Sequence, residues 1–152
     1  MVDQKADPKV DPKSIIIQAI KAINSHDIEG CIRLASPDCE FMSATRTFRG
    51  HGELRTLMEN YFSATSDTQL TVDRVLADGS TVVVELTDRE SHTGNLKTQS
   101  GVIPPTGKRF TLSGIVVATV EGDRIVRWRE YWDRMHFVQQ LGLMPMRSSP
   151  SA

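Results

Sequence analysis

The sequence predicts one α+β domain: a curved antiparallel sheet with N-terminal helices packed on its concave face, enclosing a single, largely apolar pocket. Three observations predict it. Apolar residues recur at helical spacing up to about Phe62. After that the period changes to two over four long stretches. Ala77-Asp78-Gly79-Ser80 and Glu121-Gly122-Asp123 then join those stretches pairwise as hairpins, because glycine supplies the positive φ such turns need. Helices first and strands afterwards imply helices covering one sheet face. A length of 152 residues suits one core.

Residues 1–12 carry Asp7-Pro8-Lys9 and Asp11-Pro12, a polar, proline-broken stretch that reads as a flexible arm. The domain is expected over 13–143. Ser14 is an N-cap for a helix to about Asn24, with Ile16, Ile20 and Ile23 as its apolar stripe. Asp27 caps a second short helix that turns Ile28, Ile32 and Ala35 inward and stops before Pro37. A strand follows over about Cys39–Ala44, then a turn, then a helix over Glu53–Phe62. The four strands are expected at Gln69–Leu76, Thr81–His92, Lys108–Val120 and Arg124–Trp132, with Ile103-Pro104-Pro105-Thr106-Gly107 as a loop. A last helix spans about Arg134–Leu141, and 144–152 is a tail.

Basic and acidic residues nearly cancel, 18 against 19, so no net field steers the chain to nucleic acid or to an anionic membrane. No apolar run approaches the roughly 20 residues of a membrane span. Residues 1–13 lack the apolar core of a secretory signal, so a cytoplasmic location is expected. Cys31 and Cys39 fit no metal-ligand spacing and are either buried thiols or a disulfide. The histidines have no partners at metal-ligand spacing, so no metal is expected, and no phosphate-binding or nucleophile-elbow motif points to a cofactor.

Three segments resemble the SnoaL-like group of the nuclear-transport-factor-2-like superfamily, over about Ser14–Leu143. They are Asn24-Ser25-His26-Asp27 with Pro37-Asp38-Cys39-Glu40-Phe41; His92-Thr93-Gly94 with Pro104-Pro105-Thr106-Gly107-Lys108; and Gly122-Asp123-Arg124 through Asp133 to Gln139-Gln140-Leu141-Gly142-Leu143. The resemblance implies a cone with a deep pocket, a homodimer formed through the sheet, and relatives that include polyketide cyclases, ketosteroid isomerases and limonene-epoxide hydrolases. Fold alone leaves the activity open.

Alternation along the last strand puts Trp128, Glu130 and Trp132 on one face. An apolar wall raises a carboxyl pKa, which suits acid/base work near neutral pH. Glu130 also stands where the resemblance implies an acid/base aspartate; its competing role is a salt bridge to a strand arginine. Asp133, just before the last helix, reads as its N-cap. In epoxide hydrolases of this fold an arginine and a second aspartate stand two residues apart, and Thr87-Asp88-Arg89-Glu90-Ser91 is similar, with Arg89 matching the arginine and Ser91 in the place of the aspartate. Arg89 is thus either an electrostatic partner of Glu130 or a cross-strand ion pair. Phe41 and Ser43 occupy positions where those hydrolases hold water, and Val116 stands where cyclases often carry a histidine. His92 is either a site residue or a turn-forming one. Met58 and Tyr61, with the tryptophans, are expected to line the pocket.

Two functions remain open on the sequence. One is cofactor-free cyclization or isomerization of an apolar polyketide- or terpenoid-like molecule, with Glu130 and Arg89 as catalytic residues and Trp128, Trp132, Phe41, Ser43, Met58, Tyr61, Ser91 and His92 around the substrate. Within it, epoxide hydrolysis lacks its second carboxylic acid. The other is a non-catalytic binding protein for a hydrophobic ligand.

Overall fold

The computed structural model describes residues 9–44 and 46–144. The expected arm over 1–12 lies mostly outside these residues and the tail almost wholly so. α1 (Pro12–Asn24) starts two residues earlier than expected. Asp11, not Ser14, is its N-cap, accepting from the Lys13 N–H at 3.1 Å, and Pro12 takes the first turn, where a missing N–H is harmless. Asp27 caps α2 (Ile28–Leu34) through the Gly30 N–H at 2.9 Å, as expected.

The chain then passes directly into β1 (Ala35–Met42), so Ala35 and Pro37 are strand residues, not the end of a helix and its stop. Pro37 is exposed and sits where the register shifts between Ala35 and Glu40, the kind of irregularity that tolerates a missing donor. A short edge strand, β2 (Thr47–Arg49), pairs with β1 and leads into α3 (Gly50–Ala64). The long strands are β3 (Gln69–Asp78), β4 (Thr81–Ser91), β7 (Arg109–Glu121) and β8 (Arg124–Trp132). Gly79 and Gly122 take the positive φ of the two hairpin turns, 57° and 61°. Between β4 and β7 a small separate hairpin, β5 (Leu96–Thr98) and β6 (Gly101–Ile103), precedes the expected loop. α4 (Arg134–Gln140) closes the domain, with Asp133 as N-cap through the His136 N–H at 3.0 Å.

The main sheet runs β2-β1-β8-β7-β4-β3. It is mixed, which corrects the all-antiparallel expectation: β1 lies parallel to β8, with Phe41 beside Trp128. α1 crosses β3, β4, β7 and β8 on the concave side, and α3 rests on β1. Their apolar faces and the sheet's inner rows (Val82, Val84, Val116, Ala118 and Trp128 among them) form the main core.

Three carboxamides tie helices to backbone that no neighbouring strand pairs. Asn24 of α1 bonds both the N–H and the C=O of Leu70 on edge strand β3, at 2.7 and 2.9 Å. Asn60 of α3 does the same to Lys97, at 3.0 Å each way. Gln140 of α4 clasps Thr111, at 2.9 Å each way, on the part of β7 that outruns β8. A carboxamide offers a donor and an acceptor as a strand would, so each clasp covers an edge.

Candidate active site

Glu130 projects from the inner row of β8 with Trp128, as alternation predicts. The Trp128 indole N–H donates to Glu130 Oε1 at 3.1 Å, and the Trp128 ring stacks on Phe41 at 5.9 Å. Part of Glu130 is still exposed, but its carboxyl is embedded deeply enough that burial is the main cause of its raised pKa, about 7; the Trp128 bond pulls the other way. The strand arginines do not neutralise it. Arg127 faces outward to Glu40, at 3.7 Å, and Arg129 alternates to the same outer side.

On β4 the structure corrects the sequence. Val82, Val84, Leu86, Glu90 and, beyond the strand, His92 are buried, so the even-numbered row faces the interior. Arg89 is exposed, flanked by exposed Gln69 on β3 and Thr111 on β7. It is not placed with Glu130. Ser91 also lies off the inner row, where Asp67 takes its N–H and its hydroxyl, each at 2.7 Å. The inward pair two residues apart is instead Asp88 and Glu90, which sequence reasoning passed over.

Tyr61 of α3 donates its hydroxyl to Glu90, which is 1% exposed. Burial, then the charges of Glu90 and Asp88, hold the Tyr61 pKa well above its ordinary 10, so it stays a donor. Burial first, then the Glu90 charge and a side-chain hydrogen bond with it, and then Glu130, push Asp88 up to about 9. Asp88 Oδ1 and Glu90 Oε2 are buried without hydrogen-bond partners. Three carboxyl groups and a phenol thus share the interior of the cone with no inward-facing arginine or lysine on β4 or β8 to offset them.

Trp128 also walls a narrow apolar cleft, whose free volume is only about 30 Å³, together with Ile23, Cys31, Phe41 and Met58. Phe41, Met58 and Trp128 lie side by side on its wall. Glu130, Asp88, Glu90 and Tyr61 are not on the lining of this cleft, so Tyr61 is not the wall residue expected of it and Glu130 does not open onto it. Cys31 and Cys39 line the cleft as free, buried thiols; burial pushes Cys31 up to about 11. Trp132 lies apart. It packs edge-on against Phe137 of α4 at 5.6 Å, in a second apolar cluster with Phe110, Leu112 and Leu141. Ser43 turns back on its own loop, its hydroxyl donating to the Arg46 carbonyl at 3.2 Å. His92 is 1% exposed and joined to Thr106. Among the described residues, no three His, Cys, Asp or Glu side chains gather as metal ligands would, and no helix is long and apolar enough to cross a membrane.

The sequence pattern described as SnoaL-like polyketide cyclase matches residues 14–141. A comparison with curated proteins finds no match. Among solved structures, a proposed SnoaL-like polyketide cyclase from Jannaschia sp. CCS1 superposes with a TM-score of 0.78 at 13% identity, covering 93% of this chain and 99% of that one. AclR from Streptomyces galilaeus, a proposed hydroxylase, gives 0.75 at 22% identity, with 91% and 100% covered. An epoxide hydrolase from M. tuberculosis resembling limonene-epoxide hydrolase gives 0.67 at 20%, with 86% and 88% covered. At these identities the likeness to solved structures is one of fold.

Proposed function

This chain belongs to the SnoaL-like polyketide cyclase family, and from that premise we propose that it is a cofactor-free enzyme that cyclizes or isomerizes an apolar polyketide- or terpenoid-like carbonyl compound by proton transfer. The observation that carries the reading is the placement of two carboxyl groups on inward rows of the sheet, Glu130 on β8 and Asp88 on β4, both held above the ordinary carboxylate range chiefly by burial, with an oxygen of Asp88 buried and unpartnered. Near neutral pH a large share of Glu130 is ionised and able to act as a base, while Asp88 keeps its proton and serves as a hydrogen-bond donor. The Glu130 carboxylate takes a proton from the carbon next to a carbonyl, and the C–H electron pair moves onto the carbonyl oxygen. Asp88 donates a hydrogen bond to that enolate oxygen. Where a C=C bond adjoins the deprotonated carbon, the enolate is a dienolate, and Glu130 then returns the proton to its far carbon as the double bond shifts, giving an isomer. In a cyclization the enolate carbon instead attacks a second carbonyl carbon of the same molecule, whose oxygen takes the proton. Trp128, Phe41 and Met58 would hold the apolar part of the substrate.

The probe is deuterium exchange next to the carbonyl of 2-tetralone in D2O, followed by NMR. The protein should accelerate it above the buffer rate, and Glu130→Gln should lower the acceleration by about 100-fold or more. Exchange undiminished in that variant sinks the assignment.

A second reading, epoxide hydrolysis, is favoured by the inward Asp88–Glu90 pair, since the second carboxylic acid lacking at Ser91 is offered by Glu90, one residue before it, and by Asp88, three before it. Glu130 would take a proton from water as its oxygen attacks an epoxide carbon; the C–O bond breaks and Asp88 gives its proton to the leaving oxygen. Diol formation from 1-methylcyclohexene oxide, with one oxygen from labelled water, distinguishes this reading.

The same proposal includes a homodimer through the outer sheet face. There Ile115 and Tyr131 pair across β7 and β8 while 41% and 48% exposed, a patch that association would cover.

A further inference from the structure

His92-Thr93-Gly94 and Pro104-Pro105-Thr106-Gly107-Lys108 are two separated segments that the proton chemistry does not use. The structure brings them together around one imidazole. The His92 N–H donates to the Lys108 carbonyl and the Gly107 N–H to the His92 carbonyl, each at 2.9 Å. On the other side His92 bridges to Thr65, at the end of α3. Thr93 and Gly94 both donate their N–H groups to the Ala64 carbonyl, at 3.0 and 3.1 Å. The backbone carrying His92 is therefore fixed from both flanks.

The ring is fixed as well. The Thr106 N–H donates to Nδ1 at 3.2 Å, and the Thr106 hydroxyl lies 3.1 Å from the same nitrogen. That hydroxyl oxygen itself accepts from the Lys108 N–H at 3.3 Å, which leaves its proton free to point at Nδ1. Two donors converge on Nδ1, so Nδ1 offers its lone pair and the ring proton sits on Nε2. Burial, against a smaller opposing pull from the Gly94 backbone, lowers the His92 pKa and keeps the ring neutral.

Nε2 is buried and no acceptor meets it at hydrogen-bond geometry; the Gly94 backbone that tempers the pKa makes no geometric hydrogen bond to it. An orphaned buried donor is unfavourable, and native structures seldom keep one without a use. Its place is informative. His92 continues the inward row of Asp88 and Glu90, roughly 7 Å beyond Glu90 at about 3.3 Å per residue. It stands one helical turn past Tyr61, through Thr65.

We propose that His92 is a substrate-binding residue whose Nε2–H donates a hydrogen bond to an accepting oxygen, a carbonyl or ether, on the ligand, with the two sequence segments serving as a tautomer lock. The inference rests on the reading of the cone interior as the substrate site and adds the ligand's chemistry: an acceptor oxygen held beyond Glu90. A purely structural histidine would need only its Nδ1 contact.

Asparagine places its amide oxygen where Nδ1 stands and glutamine places its amide nitrogen where Nε2 stands, so the two variants separate the roles. The probes are 2-tetralone and tetralin, which differ by the carbonyl oxygen, with affinity read from Trp fluorescence. The wild-type protein should prefer the ketone. His92→Asn should keep the fold by circular dichroism, leave tetralin affinity unchanged and reduce the ketone preference about 5- to 10-fold, while His92→Gln restores much of it. In the free wild-type protein, ¹⁵N NMR of the imidazole should show the Nε2–H tautomer, and the Nε2 signal should move when 2-tetralone is added. An Nδ1–H tautomer, an Nε2 signal that ignores the ketone, or full ketone preference in His92→Asn each overturns the proposal. Because these readouts are of binding and the Glu130→Gln readout is of exchange, either idea can fail while the other stands.

Discussion

Glu130→Gln should stabilise the protein as the pH rises, and the size of the effect follows from the site. Glu130 stands at about 7 in the folded protein against an ordinary 4.5, chiefly through burial. A folded-state pKa raised above the unfolded one means that the folded state binds the proton more tightly. The associated stability is full below about pH 4.5 and is lost as the pH climbs to about 7. At 1.36 kcal/mol per pKa unit, the loss over that window is roughly 3 kcal/mol. Glutamine cannot ionise, and its amide oxygen can still accept the Trp128 indole N–H. The variant therefore escapes the loss. It also removes one of the charges that hold Asp88 up, an effect of the same sign. Urea unfolding of both proteins at pH 4.5, 6 and 8 is the assay. Any constant offset from the substitution drops out of the comparison, since only the change in the stability difference with pH is read. That difference should grow by about 2–3 kcal/mol in favour of the variant between pH 4.5 and 8. Parallel stability curves would falsify the view that Glu130 is a buried acid.

Trp128→Phe removes the one contact that favours the Glu130 carboxylate. The Glu130 pKa should rise by about one to two units, since a hydrogen bond to a charged group contributes about 1.5–3 kcal/mol. ¹³C NMR titration of the carboxyl reads it, and a fall would contradict the assigned contact. Gly94→Ala would bring a Cβ to 1.9 Å from the Ser63 carbonyl oxygen, so the α3–β4 junction must separate; a loss of about 3 kcal/mol in urea unfolding is expected. Ile115→Arg should turn a dimer into a monomer in analytical ultracentrifugation while leaving deuterium exchange in place, and a wild-type monomer would remove the sheet-face dimer from the proposal.

Local signals made much of this fold readable. The two glycine turns set both long hairpins, and Asp27 and Asp133 announced their helices because a capping carboxylate acts within three residues of itself. What the sequence hid was non-local. The parallel union of β1 with β8 joins Phe41 to Trp128, and no spacing rule links positions so far apart. β2 is three residues long and survives through its pairing with β1, beyond any propensity argument. In the site, Glu130 and Trp128 were legible because Trp128 is bulky enough to declare the inner row of its strand. β4 was misread because Arg89 drew attention as a charged partner. The signal lay in Val82, Val84 and Leu86: three apolar residues in alternation fix the inward face, and extending that row gives Asp88, Glu90 and His92. The same parity places Arg89 and Ser91 outside.

That row changes character halfway along, and the change is the strongest reason to look there for function. Val82, Val84 and Leu86 belong to the main core, and on the neighbouring strand Leu112 and Phe110, which pair with Asp88 and Glu90, belong to a second apolar cluster under α4. Apolar residues at 88 and 90 would let the two clusters merge into one, which is the arrangement burial energetics favour. The chain instead places carboxyl groups at the seam, leaves an oxygen of each without a partner, and offers Glu90 the Tyr61 hydroxyl from the helix side. Packing gives no reason for such a row, and a ligand that supplies the missing hydrogen bonds does. Trp128, with its ring on the apolar cleft and its N–H on Glu130, is where an apolar substrate body and its reacting atoms would meet.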